Sequence, residues 1–464
     1  MKDALGALLR PSSVALIGAS ANPAKLGHVI LKNLSEGRFR LYPVNPKSES
    51  ILGLRCYPTV LDIPGKVDLA VLSLPAEACV PEAAACVEKG VRVVAVTSSG
   101  FGESGAKGRR LEERLVSTVK GSDTRLLGPN TMGAFVPSIG LDTLFIPREK
   151  SPRPEDGSIA MLSQSGAVSV AFLEKAAASG IGVSACVGLG NKADIGENDL
   201  VQYFSEDRRT KCLALYLESF SDGRRFVQIA KDVTRSKPVV VLKSGRTSAG
   251  ARAARSHTGA IATSSDALVD GALAQAGVIR AYDEQDLMDV AKALAYSDRI
   301  EGDRICVVAS AGGFGVIASD YVTDDCQGAG LRMARLSRRS EQALARVVPG
   351  FASIANPVDL TAGVTDEMYD AVLGIVQADP GVDGVMMSLE LQPPNITKKL
   401  VGIAARRARS GRAPIVVSAF GGERTAGVLR EFESRGVPAY PTIWRAVRAL
   451  GALSERGHHL RRRK

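Results

Sequence analysis

The chain has 464 residues, 45% of them hydrophobic and 23% charged, an ordinary globular balance that excludes global disorder. At roughly 150 residues per domain this length predicts about three domains, and 5% aromatics with one Trp, 47 Gly and 22 Pro favours aliphatic α/β layers over an aromatic-rich sandwich. Lys and Arg number 59 against 49 Asp and Glu, and the net +10 favours anionic partners such as nucleotides, CoA or phosphate without specifying nucleic acid.

Three places share one pattern: an aliphatic run, a small-residue loop, then a helical periodicity. They are Val14-Ala15-Leu16-Ile17 before Gly18-Ala19-Ser20, Ile159-Ala160-Met161-Leu162 before Ser163-Gln164-Ser165-Gly166, and Ile305-Cys306-Val307-Val308 before Ala309-Ser310-Ala311-Gly312-Gly313. Their recurrence about every 145 residues is too long for a solenoid and predicts three similar α/β domains. Continuous apolar strands of this kind suit a parallel sheet covered on both faces. Further strands are predicted at 41–44, 69–74 and 91–96, then at 183–187, 212–217 and 239–243, then at 384–387 and 415–418. Linkers are expected at 147–157, with Pro147, Pro152 and Pro154, and at 297–303.

Seven scattered cysteines (Cys56, Cys79, Cys86, Cys186, Cys212, Cys306, Cys326) form no C-x-x-C pair, which predicts reduced thiols in a cytoplasmic protein. The start, Met1-Lys2-Asp3-Ala4, has an acid and no long apolar stretch, so no signal peptide is expected. No run of about twenty apolar residues predicts a membrane span.

The first loop, Gly18 to Gly27, precedes a helical pattern at 28–34. Glycine and serine after a strand let backbone N–H groups approach a phosphate, and a helix start adds partial positive charge. The loop lacks the G-x-G-x-x-G fingerprint, so nicotinamide chemistry is poorly supported; the other reading is a plain tight turn. Lys47, after Val44-Asn45-Pro46, reaches a second phosphate or is simply solvated. The second loop, Ser163-Gln164-Ser165-Gly166, opens a helix at 167–178 and is an anion cradle or an ordinary serine cap.

Of four histidines, His458 and His459 sit by the basic end 461–464 and are expected to be disordered with it. His257 stands in Ser256-His257-Thr258-Gly259-Ala260, a polar small-residue context without apolar periodicity. A core histidine has apolar neighbours, so His257 is the leading candidate nucleophile or base. Glu218, at a strand end, is either its partner or a surface glutamate.

The chain resembles the α subunit of ADP-forming acyl-CoA synthetases, the acetate–CoA ligase (ADP-forming) group within the succinyl-CoA synthetase superfamily. The resemblance rests on Gly18-Ala19-Ser20, Val44-Asn45-Pro46, Leu127-Gly128-Pro129-Asn130, Ser163-Gln164-Ser165-Gly166, Gly190-Asn191-Lys192-Ala193-Asp194, Tyr216-Leu217-Glu218, Ser256-His257-Thr258-Gly259-Ala260 and Asn356-Pro357-Val358-Asp359-Leu360, in that order. It implies an α/β chain of three consecutive domains: a Rossmann-like CoA-binding domain at 1–146 and two flavodoxin-like, succinyl-CoA synthetase-like domains at 155–298 and 303–464. It also implies a reaction in which acyl-CoA and phosphate give acyl phosphate and CoA, and the phosphoryl group moves to a histidine and then to ADP. The matching positions make His257 the phosphorylated residue and Glu218 its orienting carboxylate. They put the phosphoryl group at Ser165 and Gly166, and CoA at Gly18, Ala19, Ser20, Lys25, Asn45, Pro46, Lys47, Ser98 and Ser99.

The family's nucleotide site, for ADP or ATP with Mg2+, lies on an ATP-grasp module. The chain has no P-loop motif and its length is filled by three domains, so an ATP-grasp β subunit in trans, and hence a hetero-oligomer, is expected. His257 would then shuttle on a mobile loop at 244–260. A small carboxylic acid is the expected co-substrate, and neither nucleic acid nor membrane is expected as a partner. Ala311 and Phe314 stand where Asn and Pro are common, and Val170 stands where succinate-using relatives carry Tyr, which disfavours succinate. Two other readings are a CoA-sensing module without turnover and, on the first loop alone, a nicotinamide-dependent oxidoreductase.

Overall fold

The computed structural model describes residues 2–258, 265–297, 299–324 and 330–462, with side chains of the first span from 3 to 253. Two compact units result, one of residues 1–178 and 182–284, the other of 179–181 and 285–464.

The first unit holds two sheets. One has β1 (Ser13–Ile17), β2 (Arg40–Val44), β5 (Leu69–Leu72), β6 (Val93–Val96) and β7 (Arg125–Leu127), with β3 (Ser50–Ile51) and β4 (Leu54–Arg55) forming a separate small hairpin. The other has β8 (Ala134–Val136), β9 (Leu141–Asp142), β10 (Asp156–Ser163), β11 (Val183–Gly188), β12 (Cys212–Leu217), β13 (Val239–Lys243) and β14 (Ile279–Ala281). The second unit holds β15 (Arg304–Ala309), β16 (Arg332–Met333), β17 (Val358–Asp359), β18 (Gly384–Leu389), β19 (Ile415–Ala419) and β20 (Ala439–Tyr440).

Spatial order is β2-β1-β5-β6-β7 in the first sheet, β14-β13-β12-β10-β11-β8-β9 in the second and β16-β15-β18-β19-β20 in the third. Counted along the chain within each sheet, the parallel strands therefore run 2-1-3-4-5 three times, with the two-residue β17 set aside. The connection reverses direction beside the first strand of each sheet, and ligands of open α/β sheets bind outside the carboxyl ends at that point. Strands β1, β5, β6, β11, β13, β18 and β19 are buried at every position, as parallel strands covered on both faces must be.

The hairpin β8–β9 lies in the first third of the chain but pairs antiparallel with β11, in register Cys186↔Phe135 and Val187↔Ala134. One apolar cluster runs from Leu16 and Leu31 through Ala134, Val136 and Leu141 to Leu162, Val187 and Leu215. The stretch 147–157 is pinned rather than loose. Arg153 donates to Asp142 (3.1 Å), Ile146 O (2.8 Å) and Ser151 O (2.5 Å), and Arg148 lies 3.2 Å from Asp142. Burial pushes the Asp142 carboxyl up, against the pull of both guanidiniums.

Arg153→Ala is expected to cost about 3–5 kcal/mol in urea unfolding, the usual penalty for leaving a buried charge short of its partner. The carboxyl of Asp142 is raised in the folded chain already and rises further in the variant. Stability tied to it is full below the ordinary carboxyl value near ~4 and is lost as pH climbs through the raised one. The deficit should therefore shrink from pH 7 toward pH 5, and a pH-independent deficit would refute this assignment.

Two expectations are corrected. The segment 248–258 is a helix, Ser248–Thr258, and not a loop. Alanine and arginine, which dominate it, are strong helix formers, and Thr247 Oγ1 accepts from Gly250 N–H at 3.0 Å at its start. His458 and His459 are ordered in the last turn of the 19-residue helix Ile443–Arg461, whose start Thr442 caps by accepting from Arg445 N–H. The six described cysteines are buried and form no disulfide with one another, while Cys326 lies outside the described residues. No described helix is long and apolar enough to cross a membrane.

Candidate functional site

Loops at the carboxyl ends of β1, β2, β5 and β6 enclose a cavity of about 790 Å³ at the reversal point of the first sheet. Gly18, Ala19, Ser20, Lys25, Asn45, Ser98 and Ser99 all line it. Gly18 has φ 93°, and a β-carbon there would stand 2.3 Å from Ser73 O. The helix Leu26–Leu34 starts with Lys25 as its cap residue and no side-chain cap bond; Lys25 O accepts from His28 N–H at 3.0 Å, and Leu26 and Gly27, at the very start, line the cavity. Asn45 Nδ2 donates to Ala19 O at 2.8 Å, and His28 Nδ1 meets Ser20 O at 3.0 Å. These bonds, with Gly18 N–H on Val44 O at 3.1 Å, fix the loop on the cavity wall. Such an arrangement suits a phosphate-bearing ligand.

Pro46 and Lys47 are exposed and stand outside the lining. Ser73, Leu74, Pro75, Thr97 and Phe145 also line the cavity without a sequence motif to mark them, as does Asn130 from the motif at 127–130. The first four follow strand ends, so the carboxyl-edge rule would have found them. Phe145 comes from the chain leaving β9, and no local signal marks it.

A second constellation lies at the carboxyl ends of β10, β12 and β13. The helix Gly166–Ser179 opens after β10, and a β-carbon on Gly166 would meet nothing within 4 Å. Ser165 Oγ caps it, accepting from Val168 N–H at 3.4 Å, and Ser165 N–H is bonded to Ser163 Oγ. The exposed Gly166 and Ala167 N–H groups at this end have no intrahelical acceptor. Gln164 Oε1 accepts from Glu218 N–H (2.7 Å) and Ser219 N–H (2.9 Å), so the helix start and the buried Glu218 form one piece. Burial pushes the Tyr216 phenol up, and Ser244 and Glu218 are its hydrogen-bond partners. Lys243 Nζ donates to Glu218 O at 2.8 Å, and burial lowers its ammonium. The side chain of His257 lies outside the described residues, as do residues 259–264; its backbone is in the helix Ser248–Thr258.

The loop after β11 joins the two places. Asn191 N–H, Ala193 N–H and Ile195 N–H bond Pro129 O, Gly128 O and Leu126 O. Asn191 Nδ2 donates to Glu103 and Glu112. Asn130, on the cavity wall, reaches Asn191 at 3.5 Å, and Lys192 Nζ donates to Ser219 O at 2.6 Å. Among the described residues no group of three His, Cys, Asp or Glu side chains is placed to hold a metal.

Residues 12–137 match a family described as a CoA binding domain, 156–294 the succinyl-CoA ligase like flavodoxin domain, and 305–459 the ligase-CoA domain. The chain is 38% identical over 461 residues to the acetate–CoA ligase (ADP-forming) I subunit alpha of Pyrococcus furiosus, covering 97% of each. It is 35% identical over 447 residues to the ADP-forming acetate–CoA ligase of Methanocaldococcus jannaschii, covering 96% of this chain and 62% of that relative. It therefore spans nearly all of the first and less than two thirds of the second. The dinucleotide forming acetyl-coenzyme A synthetase 1 of Ca. Korarchaeum cryptofilum, solved with phosphate and ADP, matches with a TM-score of 0.90 at 35% identity, over 100% of this chain and 99% of that one.

Proposed function

The chain belongs to the family of ADP-forming acetate–CoA ligases, and from that premise we propose that it is the CoA-binding, histidine-phosphorylated subunit of an acyl-CoA synthetase. It interconverts acyl-CoA, ADP and phosphate with a carboxylic acid, CoA and ATP. The three segments 1–146, 155–298 and 303–464 act as the CoA domain and two ligase domains. The observation that carries this reading is the single hydrogen-bonded piece made by Gln164, which ties the Ser165–Gly166 helix start to Glu218, joined through Lys192 and Asn191 to the cavity wall.

CoA occupies the cavity, its phosphates at the Ala19 and Ser20 amides and the start of the helix Leu26–Leu34. An inorganic phosphate oxygen attacks the thioester carbonyl and expels the CoA thiolate, leaving acyl phosphate. A neutral imidazole of His257 then attacks phosphorus and the carboxylate departs with the P–O bond electrons. The Gly166 and Ala167 amides stabilise the moving phosphoryl charge by position rather than by titration. Glu218 accepts the proton-bearing nitrogen of the ring, holding its tautomer and balancing the cation that forms. ADP takes the phosphoryl group on an ATP-grasp β subunit, which carries the nucleotide and Mg2+. The Pyrococcus furiosus relative that this chain covers to 97% is a subunit alpha, which supports a partner subunit here. We place the assembly in the cytoplasm, as a hetero-oligomer.

The test is reconstitution with an ATP-grasp partner and labelled ATP. The chain should gain acid-labile, base-stable label, and CoA plus acetate should discharge it. Tight CoA binding with no labelling by any partner would replace this reading by that of a CoA-sensing module.

A further inference from the structure

Lys192 is one of four non-glycine residues at positive φ among the described residues, at 57°. That left-handed backbone is one a β-carbon resists. It is held by the bonds of Asn191 and Ala193 to the Gly128–Pro129 carbonyls, and it turns the lysine inward. The side chain is 3% exposed, with Nζ 2.6 Å from Ser219 O and 3.0 Å from Glu197 Oε2. Glu197, itself fully buried, takes Ser221 N–H at 2.6 Å and Ser221 Oγ at 3.1 Å.

The turn at 218–221 is thus clamped from four sides. Gln164 holds its first two amides, Lys192 the Ser219 carbonyl, Glu197 the Ser221 end, and Lys243 the Glu218 carbonyl. The charged and titratable groups facing this turn are Glu197 from the helix Glu197–Glu206, Tyr216 from β12, and Lys243 from β13, itself under the influence of Arg280 and Asp266. Glu284 acts on Tyr216. Two buried ammonium groups therefore balance two buried carboxylates. Burial pulls the Lys192 ammonium down, while Glu197 and then Glu218 hold it up. A neutral donor could fasten Ser219 without the cost of burying a charge, so the charge itself has a use.

We propose that Lys192 is a positioning residue for phosphoryl transfer, fixing the turn that bears Glu218 while that carboxylate orients His257. This rests on the roles given to Glu218 and His257 above. Without the ammonium, the Ser219 carbonyl loses its donor and Glu197 loses its counter-charge, so the turn is held by its amides and no longer by its middle carbonyl. Glu218 then drifts from its productive position, and phosphoryl transfer slows.

The experiment follows phosphohistidine formation from ATP by rapid quench, in the full chain reconstituted with its ATP-grasp partner. Lys192→Met should slow labelling about tenfold while CoA affinity stays as in the unsubstituted chain. Lys192→Arg, which returns a cation to the Ser219 carbonyl and to Glu197, should recover most of the rate. Lys192→Met labelling at the unsubstituted rate overturns the proposal. If Lys192→Met does not bind CoA and so has not folded, Glu197→Gln, which takes the ion partner from Lys192, decides: labelling at the unsubstituted rate overturns it. An unsubstituted chain that takes no label would sink the phosphohistidine reading instead, a distinct outcome.

Discussion

A chain carrying His257→Ala should bind CoA as the unsubstituted chain does and take up no phosphoryl group, a loss of about 10⁴-fold or more in turnover. The size follows from the lack of any substitute nucleophile. Only four histidines exist. His28 lies in the helix Leu26–Leu34, where its Nδ1 is engaged at Ser20 O, and His458 and His459 close a helix of the second compact unit. Water at a helix start cannot replace a covalent carrier that must pass its load to a second site. Glu218→Gln should act on the same step but less severely, by about 10²–10⁴-fold, because an amide can offer the wrong hydrogen-bond role while keeping the shape. Both variants are read by the yield and rate of base-stable label from ATP. Full labelling of the His257→Ala chain would end the phosphohistidine assignment.

The central strands were legible because a parallel sheet covered on both faces leaves no room for polar residues. Val93–Val96 and Val239–Val241 could hardly be anything else. Short strands such as Leu141–Asp142 and Ala439–Tyr440 carry no pattern of their own, since their pairing partners are distant in sequence. The hairpin from Ala134 to Asp142 was invisible for that reason, although it binds the first third of the chain to the second sheet. At 248–258 the small residues suggest a loop, but the alanines and arginines among them carry enough helix propensity to form the helix Ser248–Thr258.

The cavity was half legible. Gly18 to Ser20 and Asn45 announce themselves as small or amide residues after strands. Phe145 reaches the wall only because Asn33 Nδ2, in the helix Leu26–Leu34, holds the Leu144 and Ile146 carbonyls at 2.7 and 3.1 Å. Lys192 stood within a recognisable motif, but nothing local distinguishes a buried lysine from a solvated one. Its burial depends on the left-handed turn and on carbonyls some sixty residues earlier.

Gly27→Ala should disable the other half of the reaction. A β-carbon at Gly27 would lie 2.0 Å from Gly18 O, and Gly18 is itself pressed to Ser73 O. Both obstacles are backbone atoms, so neither can rotate away. The helix Leu26–Leu34 must instead withdraw from the loop, taking its N–H groups off the cavity. Close helix–strand packing of this kind is what the third glycine of a dinucleotide loop provides in related folds. Overpacking costs about 1–3 kcal/mol of stability, and CoA affinity should fall by about 100-fold, near 3 kcal/mol. Labelling from ATP does not need CoA, so this variant should still form phosphohistidine at close to the normal rate. Its label should then pass to acetate, but the acetyl phosphate should go on to acetyl-CoA only when CoA is raised about 100-fold. Calorimetric titration with CoA and a time course of acetyl-CoA formation measure the two quantities. Unchanged affinity would mean that CoA does not lie against the loop Gly18–Gly27.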